Sequence, residues 1–141
     1  MEKQPGFQFH SISLLESTFK RQAEIDFQKL QEPHVVISTN FEQSESRLIC
    51  FLELDFKVAI DQKPLIECNC KFVGVFEIIG TPLLNIENFG TVNAPSILFP
   101  FILEHIAGLS LKAVINPILL PPVNFVALAA NNKKSIDKKV D

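Results

Sequence analysis

The feature that most constrains the fold is a pair of long alternating segments separated by a very short loop. In the segment 47–61 (RLICFLELDFKVAID), every second residue is apolar: Leu48, Cys50, Leu52, Leu54, Phe56, Val58 and Ile60. The segment 65–79 (LIECNCKFVGVFEII) repeats this pattern with Ile66, Cys68, Cys70, Phe72, Phe76 and Ile78. A period of two places each set on one face of a strand. Because only DQKP (61–64) connects them, the two segments predict an antiparallel β-hairpin.

The opposite face of this hairpin is mixed. It carries Glu53, Asp55 and Lys57, as is typical of an antiparallel sheet with one solvated side. The antiparallel register also brings a set of apolar residues together on this face: Ile49, Phe51, Val73 and Val75. Such a cluster is either a second core or an oligomer contact, and in a short chain with few helices the oligomer contact is favoured.

Two more segments have the composition of strands. The segment 35–42 (VVISTNFE) alternates, with Val35, Ile37, Thr39 and Phe41 on one face, and the polar QSES after it predicts a turn. The segment 7–21 changes phase near Ser13, which predicts a bulge or a bend. Residues 22–33 connect these two strands, so the first two-thirds of the chain is predicted to be mainly sheet.

The period changes to helical after Gly80, and a helix is predicted from Pro95 to about Leu111. Its apolar rows are Ile97, Phe101, His105 and Leu109, and beside them Leu98, Ile102 and Ile106. Pro95 suits the first turn of a helix, whereas Pro100 falls in the interior, where a proline costs about 3 kcal/mol. This combination of an internal proline and an apolar surface needs an explanation beyond helix propensity.

The C-terminal third changes character again. Proline is so frequent in the segment 115–125 (INPILLPPVNF) that an extended crossing loop is predicted there. NFVALAA, which begins at Asn124, predicts a short second helix, and residues 131–141 form a charged tail that we expect to fray. Residues 1–130 are accordingly expected to form one domain, in keeping with a length of 141 residues.

The composition argues against several classes of function. A net charge of −3 provides no basic surface for a nucleic acid. No segment reaches the roughly 18 uninterrupted apolar residues of a membrane span, and MEKQPGFQFH lacks the features of a signal peptide. We therefore expect a cytoplasmic protein without membrane insertion. The 13 phenylalanines, with no tryptophan or tyrosine, fit either a phenylalanine-rich core or a large apolar contact surface.

Motifs for catalysis, metal binding or phosphate binding are absent from the sequence. There is no G-x-S-x-G, no glycine-rich phosphate loop and no set of residues with the spacing of a metal site. Cys50, Cys68 and Cys70 share the apolar faces of their strands and are predicted to be core residues. His105 lies in an apolar helix row and is predicted to be a hydrogen-bonded core or interface histidine. We therefore predict no enzyme activity, no metal and no cofactor.

Two blocks, 93–106 (NAPSILFPFILEHI) and 115–128 (INPILLPPVNFVAL), resemble the SecB protein-export chaperone family. In that family a P-x-I-L-F-P-[YF] helix precedes a proline-rich crossing and then P-V-N-F-x-A-L. The resemblance implies an α+β fold, with a four-stranded antiparallel sheet and helices packed on one face. It also implies a homotetramer, a dimer of dimers in which the long helices stack. A kinked apolar helix is then reasonable because another subunit covers its outer side, and Phe101 and His105 are expected at that interface.

The function that this resemblance implies is an ATP-independent holdase, which binds unfolded polypeptides in apolar grooves and keeps them competent for export by the Sec translocase. The groove of the family corresponds to Val35, Ile37 and Thr39 on the first strand after the crossover, and to Phe125 and Leu128 on the second helix. The crossover 25–33 would form its wall. An extended client presents main-chain donors and apolar side chains, which a groove beside a strand accepts in many sequences.

Departures from the family pattern affect the other expected partner, the motor SecA, which docks on an acidic patch on the outer face of the sheet. Glu16 matches one acidic position there, whereas Lys20 and Asn69 replace two others. The resemblance thus supports polypeptide binding more than delivery to SecA. Two alternatives remain open: a SecB-like chaperone that protects the antitoxin of a toxin–antitoxin pair, and a structural or small-ligand-binding α+β module with an enclosed apolar cavity.

Overall fold

Four long antiparallel strands form a single sheet in the computed structural model, which describes residues 4–115 and 123–131. The strands are β1 (Gly6–Arg21), β2 (His34–Ser44), β3 (Arg47–Ile60) and β4 (Lys63–Ile79), in the spatial order β1-β4-β3-β2. The helical part consists of α1 (Ile86–Asn88), a π-helical turn (Phe89–Asn93), α2 (Ala94–Lys112) and α3 over 125–131. The α+β fold class inferred from the sequence is confirmed.

The predicted hairpin is formed by β3 and β4. Its turn residues, Asp61 and Gln62, have φ angles of 49° and 68°. Such left-handed values give the turn the same twist as the strands that it joins. The alternating residues of both strands point into the core, and Leu48, Leu54 and Phe56 are each 0% exposed. The strict period of two therefore predicted correctly both the positions of these strands and the face that is buried.

The three cysteines lie in this core, as predicted, and all are free thiols. Burial raises the pKa of the Cys50 thiol to about 12. A hydrogen bond with Cys68, followed in importance by burial, also raises the pKa of Cys70. At neutral pH, Cys50 and Cys70 are therefore protonated and pack as small apolar side chains.

Strand β1 departs from regular pairing at two places. Its register with β4 shifts between Phe9 and Ser11 and again between Leu14 and Glu16, so that His10 and Leu15 are extra residues. These positions flank Ser13, where the sequence predicts a change of phase, and the expected bulge is confirmed. The first bulge shifts the alternation of faces by one residue and the second shifts it back, so that apolar residues at both ends of β1 point to the helical side of the sheet.

Helix α2 crosses the sheet in close contact with it. Leu98 and Ile102 are 0% exposed, and Ile106 is 1% exposed. At Gly74 of β4 a Cβ atom would lie 2.5 Å from Cδ2 of Leu98, which shows how closely the helix approaches. Only a glycine leaves room for the leucine at that point, and the helix axis is held near the centre of the sheet.

The helical segment begins earlier than the sequence predicts, at Ile86 instead of Pro95. Asn85 caps it by accepting a hydrogen bond from the N–H of Asn88 (2.7 Å). The π-helical turn then leads directly into α2, with the N–H of Ala94 bonded to the carbonyl of Phe89. A wider turn at this point accommodates Pro95, which is buried and has no N–H to donate.

Pro100 lies inside α2, on its exposed side. The helix nevertheless continues to Lys112. A proline at this position deprives the carbonyl of Ser96 of its donor, and solvent can replace that donor because both residues are exposed.

The C-terminus of α2 is fixed by a Schellman motif. The N–H of Ile115 bonds to the carbonyl of Ser110 (3.1 Å), and the N–H of Val114 bonds to that of Leu111 (3.2 Å). Val114 has a φ of 54°, a left-handed conformation that is unfavourable for a β-branched residue. Arg21 of β1 donates to the carbonyl of Ala113 (2.6 Å) and ties this helix end to the sheet.

Two predicted segments fall partly or wholly outside the described residues, namely most of the crossing loop 115–125 and the tail 131–141.

The continuous helical segment formed by α1, the π-helical turn and α2, Ile86–Lys112, comprises 27 residues and reaches a mean hydropathy of 1.4. By length and composition alone this segment is long and apolar enough to cross a membrane, a property shared with many buried core helices. Here its inward residues pack on the sheet.

Candidate polypeptide-binding site

The first group of predicted binding residues lies on β2, at an edge of the sheet. Four of its residues face the helical side, namely Val35, Ile37, Thr39 and Phe41, and we call them the β2 row. All four are half-buried, while the residues between them on the opposite face are exposed. The predicted alternation is confirmed.

The β2 row differs sharply from the row next to it on β3. Ile37 pairs with Leu54 and Thr39 pairs with Leu52, in an uninterrupted register from His34 to Ser44. Leu54 is 0% exposed and Leu52 is 1% exposed, whereas their partners on β2 are only half-buried. The boundary between the closed core and the accessible apolar surface therefore falls between β3 and β2.

One end of the β2 row is closed by the π-helical turn. At Gly90 a Cβ atom would lie 2.5 Å from the ring of Phe41, so this ring packs directly on the glycine backbone. The accessible part of the row is thus Val35, Ile37 and Thr39.

The crossover between β1 and β2 packs against the same core. Ile25 and Leu30 are half-buried against the buried cluster. Asp26 caps the 3₁₀ turn Phe27–Lys29 by accepting from the N–H of Gln28 (3.2 Å). The N–H of Gln31 bonds to the carbonyl of Ala59 (3.0 Å), which anchors the crossover to the end of β3.

The second group of predicted binding residues lies on α3. Phe125 is only 5% exposed and packs edge-to-face on Phe99 of α2, with the ring centroids 5.7 Å apart. Phe125, which the resemblance assigns to the groove, therefore exposes almost no surface, because its ring anchors α3 to α2. Leu128 is half-buried against the core and remains partly accessible.

Asn124 caps the N-terminus of α3, a role that was not predicted from the sequence. Its side chain accepts from the N–H of Ala127 (3.1 Å), and its carbonyl accepts from the N–H of Leu128 (3.0 Å). Asparagine is among the most favourable residues at such a helix N-cap. The sequence V-N-F thus encodes a helix start followed by an aromatic anchor, a signal that capping rules could have identified.

The outer side of α2 carries the residues predicted for an oligomer interface. Phe101 is 38% exposed and stacks on Phe9 of β1, with centroids 6.0 Å apart. His105 is hydrogen-bonded through Nε2 to Oγ of Ser17 (2.8 Å), as expected for a histidine in an apolar row. Around them lies a hollow of about 320 Å³ between β1 and α2, whose lining includes Leu14 and Phe72.

On the opposite face of the sheet, the predicted apolar cluster is present. Ile49 pairs directly with Val75, and Phe51 pairs with Val73. All four side chains are half-exposed. The cluster thus forms one continuous apolar patch on the outer face.

Glu16, the predicted docking residue, also lies on this outer face but is paired. Its carboxylate is 3.6 Å from Nζ of Lys71, which is also 3.7 Å from the carboxylate of Glu53. Asn69 donates to Glu53 (3.1 Å). Lys71 thus lies between the carboxylates of Glu16 and Glu53 and offsets one of their two negative charges.

Comparison with known proteins decides the family. A family model described as "Preprotein translocase subunit SecB" matches residues 2–135, almost the whole chain. The chain belongs to the SecB family. The family inferred from two sequence blocks is thereby confirmed, and the four-stranded sheet with its long helix is the SecB fold.

Curated SecB relatives match parts of the chain. The protein-export protein SecB of Methylobacillus flagellatus is 41% identical over 61 residues, which are 43% of this chain and 39% of that protein. The SecB of Bradyrhizobium diazoefficiens is 30% identical over 108 residues, 74% of this chain and 67% of that protein. The SecB of Anaplasma phagocytophilum is 34% identical over 80 residues, 55% of this chain and 51% of that protein. The chain therefore spans about half or less of the length of the Methylobacillus and Anaplasma proteins.

A solved structure with the same fold is the Mycobacterium tuberculosis Rv1957 SecB-like chaperone in complex with a ChAD peptide from the Rv1956 HigA1 antitoxin. It has a TM-score of 0.71 and covers 84% of this chain and 91% of that chain. The sequence identity is 13%, so the likeness concerns the SecB fold and not individual site residues.

Proposed function

We propose that this chain is an ATP-independent chaperone, a holdase, that binds unfolded polypeptides on the β2 row and prevents their aggregation. The observation that carries the proposal is the half-exposed apolar row at Val35, Ile37 and Thr39, directly beside a completely buried row on β3. Membership of the SecB family supports the same function.

The physical basis of binding is burial of apolar surface. Each Å² of apolar surface removed from water contributes about 25 cal/mol, and this contribution does not depend on a particular sequence. Ile37 and Val35 offer such surface without polar groups that a client would have to match. Leu128 extends the surface, and Phe125 acts indirectly by holding α3 in place.

The decisive experiment compares two residues that are paired on the neighbouring strands β2 and β3 and point to the same face of the sheet. Ile37 and Leu54 are direct partners, but only Leu54 is completely buried. We expect Ile37→Asn to lower the free energy of unfolding by only about 1 kcal/mol, because water reaches the new amide. Leu54→Asn should cost about 4 kcal/mol or more, since it removes buried packing and leaves an amide in the core.

The measurement is aggregation of a reduced, unfolded test protein, followed by light scattering without nucleotide. The Ile37→Asn protein should remain folded yet lose most of its protective effect. If it protects as well as the parent chain, binding occurs elsewhere. If it unfolds as readily as Leu54→Asn, Ile37 is a core residue. A requirement for ATP would contradict the holdase mechanism.

We also propose that the chain acts as a homo-oligomer, a tetramer, in the cytoplasm. The exposed face of α2 with Phe101 and His105 and the outer patch of Ile49, Phe51, Val73 and Val75 are the proposed contact surfaces. Sedimentation at micromolar concentration tests this proposal, and a monomer would refute it.

Export clients are the proposed substrates, since the matching family model and curated relatives are described as export proteins. Protection of an antitoxin is the second candidate, supported by the shared fold of the SecB-like chaperone Rv1957.

Docking of SecA through Glu16 would have to displace the ion pair with Lys71. Pull-down with purified SecA, with and without a bound client, distinguishes delivery from simple holding.

A further inference from the structure

Arg21, the last residue of β1, has a guanidinium group that donates to three carbonyl groups from two separate segments of the chain. Nη1 donates to the carbonyl of Ala113 at the end of α2 (2.6 Å). Nε and Nη2 donate to the carbonyls of Gln22 (2.9 Å) and Ala23 (3.2 Å), where the crossover begins. Each nitrogen of the guanidinium group therefore has its own acceptor.

The guanidinium group also contacts the crossover through a side chain. Its Cζ atom is 5.8 Å from the ring centroid of Phe27, within the range of a cation–π contact. Because Phe27 is 46% exposed, packing in the core does not fix its position. Arg21 thus holds the first half of the crossover both through its backbone and through this ring.

The crossover borders the β2 row. It runs from the edge strand β1 to the other edge strand β2 and passes the ends of β4 and β3 on the way. Ile25 and Leu30 pack on the buried cluster, which places the crossover on the helical side of the sheet. It then leads through His34 into Val35, the first residue of the β2 row. A displacement of the crossover would therefore change the space available to a client beside that row.

The three hydrogen bonds require an arginine. A guanidinium group is planar and presents its N–H groups in a fixed fork, whereas the ammonium group of lysine is a single point charge on a flexible chain. The carbonyl groups at the end of α2 carry the negative end of the helix dipole, which a positive charge of either kind favours. A lysine in place of Arg21 would keep that attraction but could not satisfy three acceptors arranged around a planar fork.

From these observations, and resting on the proposed chaperone function, we propose that Arg21 is a positioning residue for client binding, which acts without touching the client. Its side chain fixes the crossover to the end of α2, so that the space beside the β2 row has its final shape before a client enters. A surface that is already ordered spares the client the entropic cost of ordering it, and the affinity is higher as a result.

The test makes the same conservative substitution at each of the two arginines of the chain. Arg21→Lys keeps the charge and removes the fork. Arg47→Lys makes this change at an exposed position where β3 begins, at the opposite end of the sheet, and is the matched control. The probe is a reduced and alkylated test protein that stays unfolded, labelled for fluorescence anisotropy. Its Kd is measured well below the Tm, where unfolding of the chaperone does not contribute.

We expect Arg21→Lys to raise the Kd about tenfold, the equivalent of one or two net hydrogen bonds, while its urea midpoint stays close to that of the parent chain. Arg47→Lys should change neither quantity. Hydrogen exchange provides an independent readout. The amides of Gln28 and Ile115, which bond within the crossover and within the end of α2, should exchange faster in the Arg21→Lys protein, and a bound client should restore their protection.

Arg21→Ala allows a second, chemical test. A hollow of about 440 Å³ adjoins Arg21, opens to solvent, and is lined in part by Phe19, Leu109 and Val114. Truncation of the arginine enlarges this hollow, so that a small cation can enter it. Millimolar methylguanidinium should restore much of the lost client affinity. Methylammonium, which has the same charge without the fork, should not.

Equal Kd values for the parent chain and Arg21→Lys would overturn the positioning role and leave the chaperone function intact. An equal loss in Arg47→Lys, or equal rescue by methylammonium, would also overturn it, because the fork of Arg21 would then not be the cause. A urea midpoint of Arg21→Lys as low as that of Leu54→Asn would show that Arg21 is required for the fold itself, which likewise refutes the proposal. If the parent chain fails to bind the unfolded test protein, the chaperone function is refuted and the positioning role falls with it.

Discussion

Replacing Gly74 by alanine tests the close contact between α2 and the sheet. In an open strand, alanine is more favourable than glycine by about 0.5–1 kcal/mol, because glycine loses more backbone freedom on folding. At Gly74 the added Cβ would lie 2.5 Å from Cδ2 and 2.9 Å from Cδ1 of Leu98. Leu98 is 0% exposed, so its side chain cannot turn towards solvent.

Overpacking of a tight core costs about 1–3 kcal/mol, which exceeds the gain in backbone entropy. We therefore expect Gly74→Ala to lower the free energy of unfolding by about 1 kcal/mol and the Tm by about 2–4 °C. Urea denaturation at a fixed protein concentration is the assay, since oligomerisation makes the apparent stability depend on concentration.

A double-mutant cycle with Leu98→Ala shows whether the clash is the cause. Leu98→Ala alone should cost about 2–5 kcal/mol, because it leaves a cavity above Gly74. In that background, Gly74→Ala has room and should be neutral or stabilising, which gives a coupling of about 1 kcal/mol or more. Stabilisation by Gly74→Ala in the parent chain, or additive effects in the cycle, would refute the reasoning.

Three other positions give independent predictions. Val114→Gly should raise the free energy of unfolding, measured by urea denaturation, by about 1 kcal/mol, because glycine adopts the left-handed φ of 54° without strain. Folding raises the pKa of Cys50 from 9.0 to about 12, so its contribution is complete below pH 9 and declines above it. Stability should fall by about 1 kcal/mol between pH 8 and pH 10, and Cys50→Ala should abolish that part. Lys71→Ala should change stability by less than about 0.5 kcal/mol at low or high salt, since both of its ion pairs are solvent-exposed.

The sheet could be predicted from the sequence because its signals are local and strict. A period of two over 47–60 and 65–79, with a short turn between them, leaves one register in which both apolar rows face the same side. That register brings Ile49 next to Val75 and Phe51 next to Val73. The change of phase near Ser13 likewise reveals the bulges of β1, since an extra residue necessarily shifts the alternation.

The degree of burial could not be predicted in this way. The rows of β2 and β3 have the same alternating pattern, yet one is half-exposed and the other is buried, because strand order decides which row lies at the edge. Phe125 illustrates the same limit: its burial depends on Phe99, a residue distant in sequence. The early helix start at Ile86 depends on the Asn85 cap, a local signal that the helical period alone does not reveal.

The bulges of β1 also limit what the sheet can become. A molecule with two regular edges could join head to tail, β1 of one copy against β2 of the next, and such heterologous contacts produce open-ended fibres. With His10 and Leu15 inserted, β1 cannot offer an evenly spaced ladder to that approach. Any pairing at β2 would therefore end after one added strand or one antiparallel pair of copies. Because only one edge of its sheet is regular, the chain avoids the amyloid-like polymerisation to which a chain with two regular edges is liable.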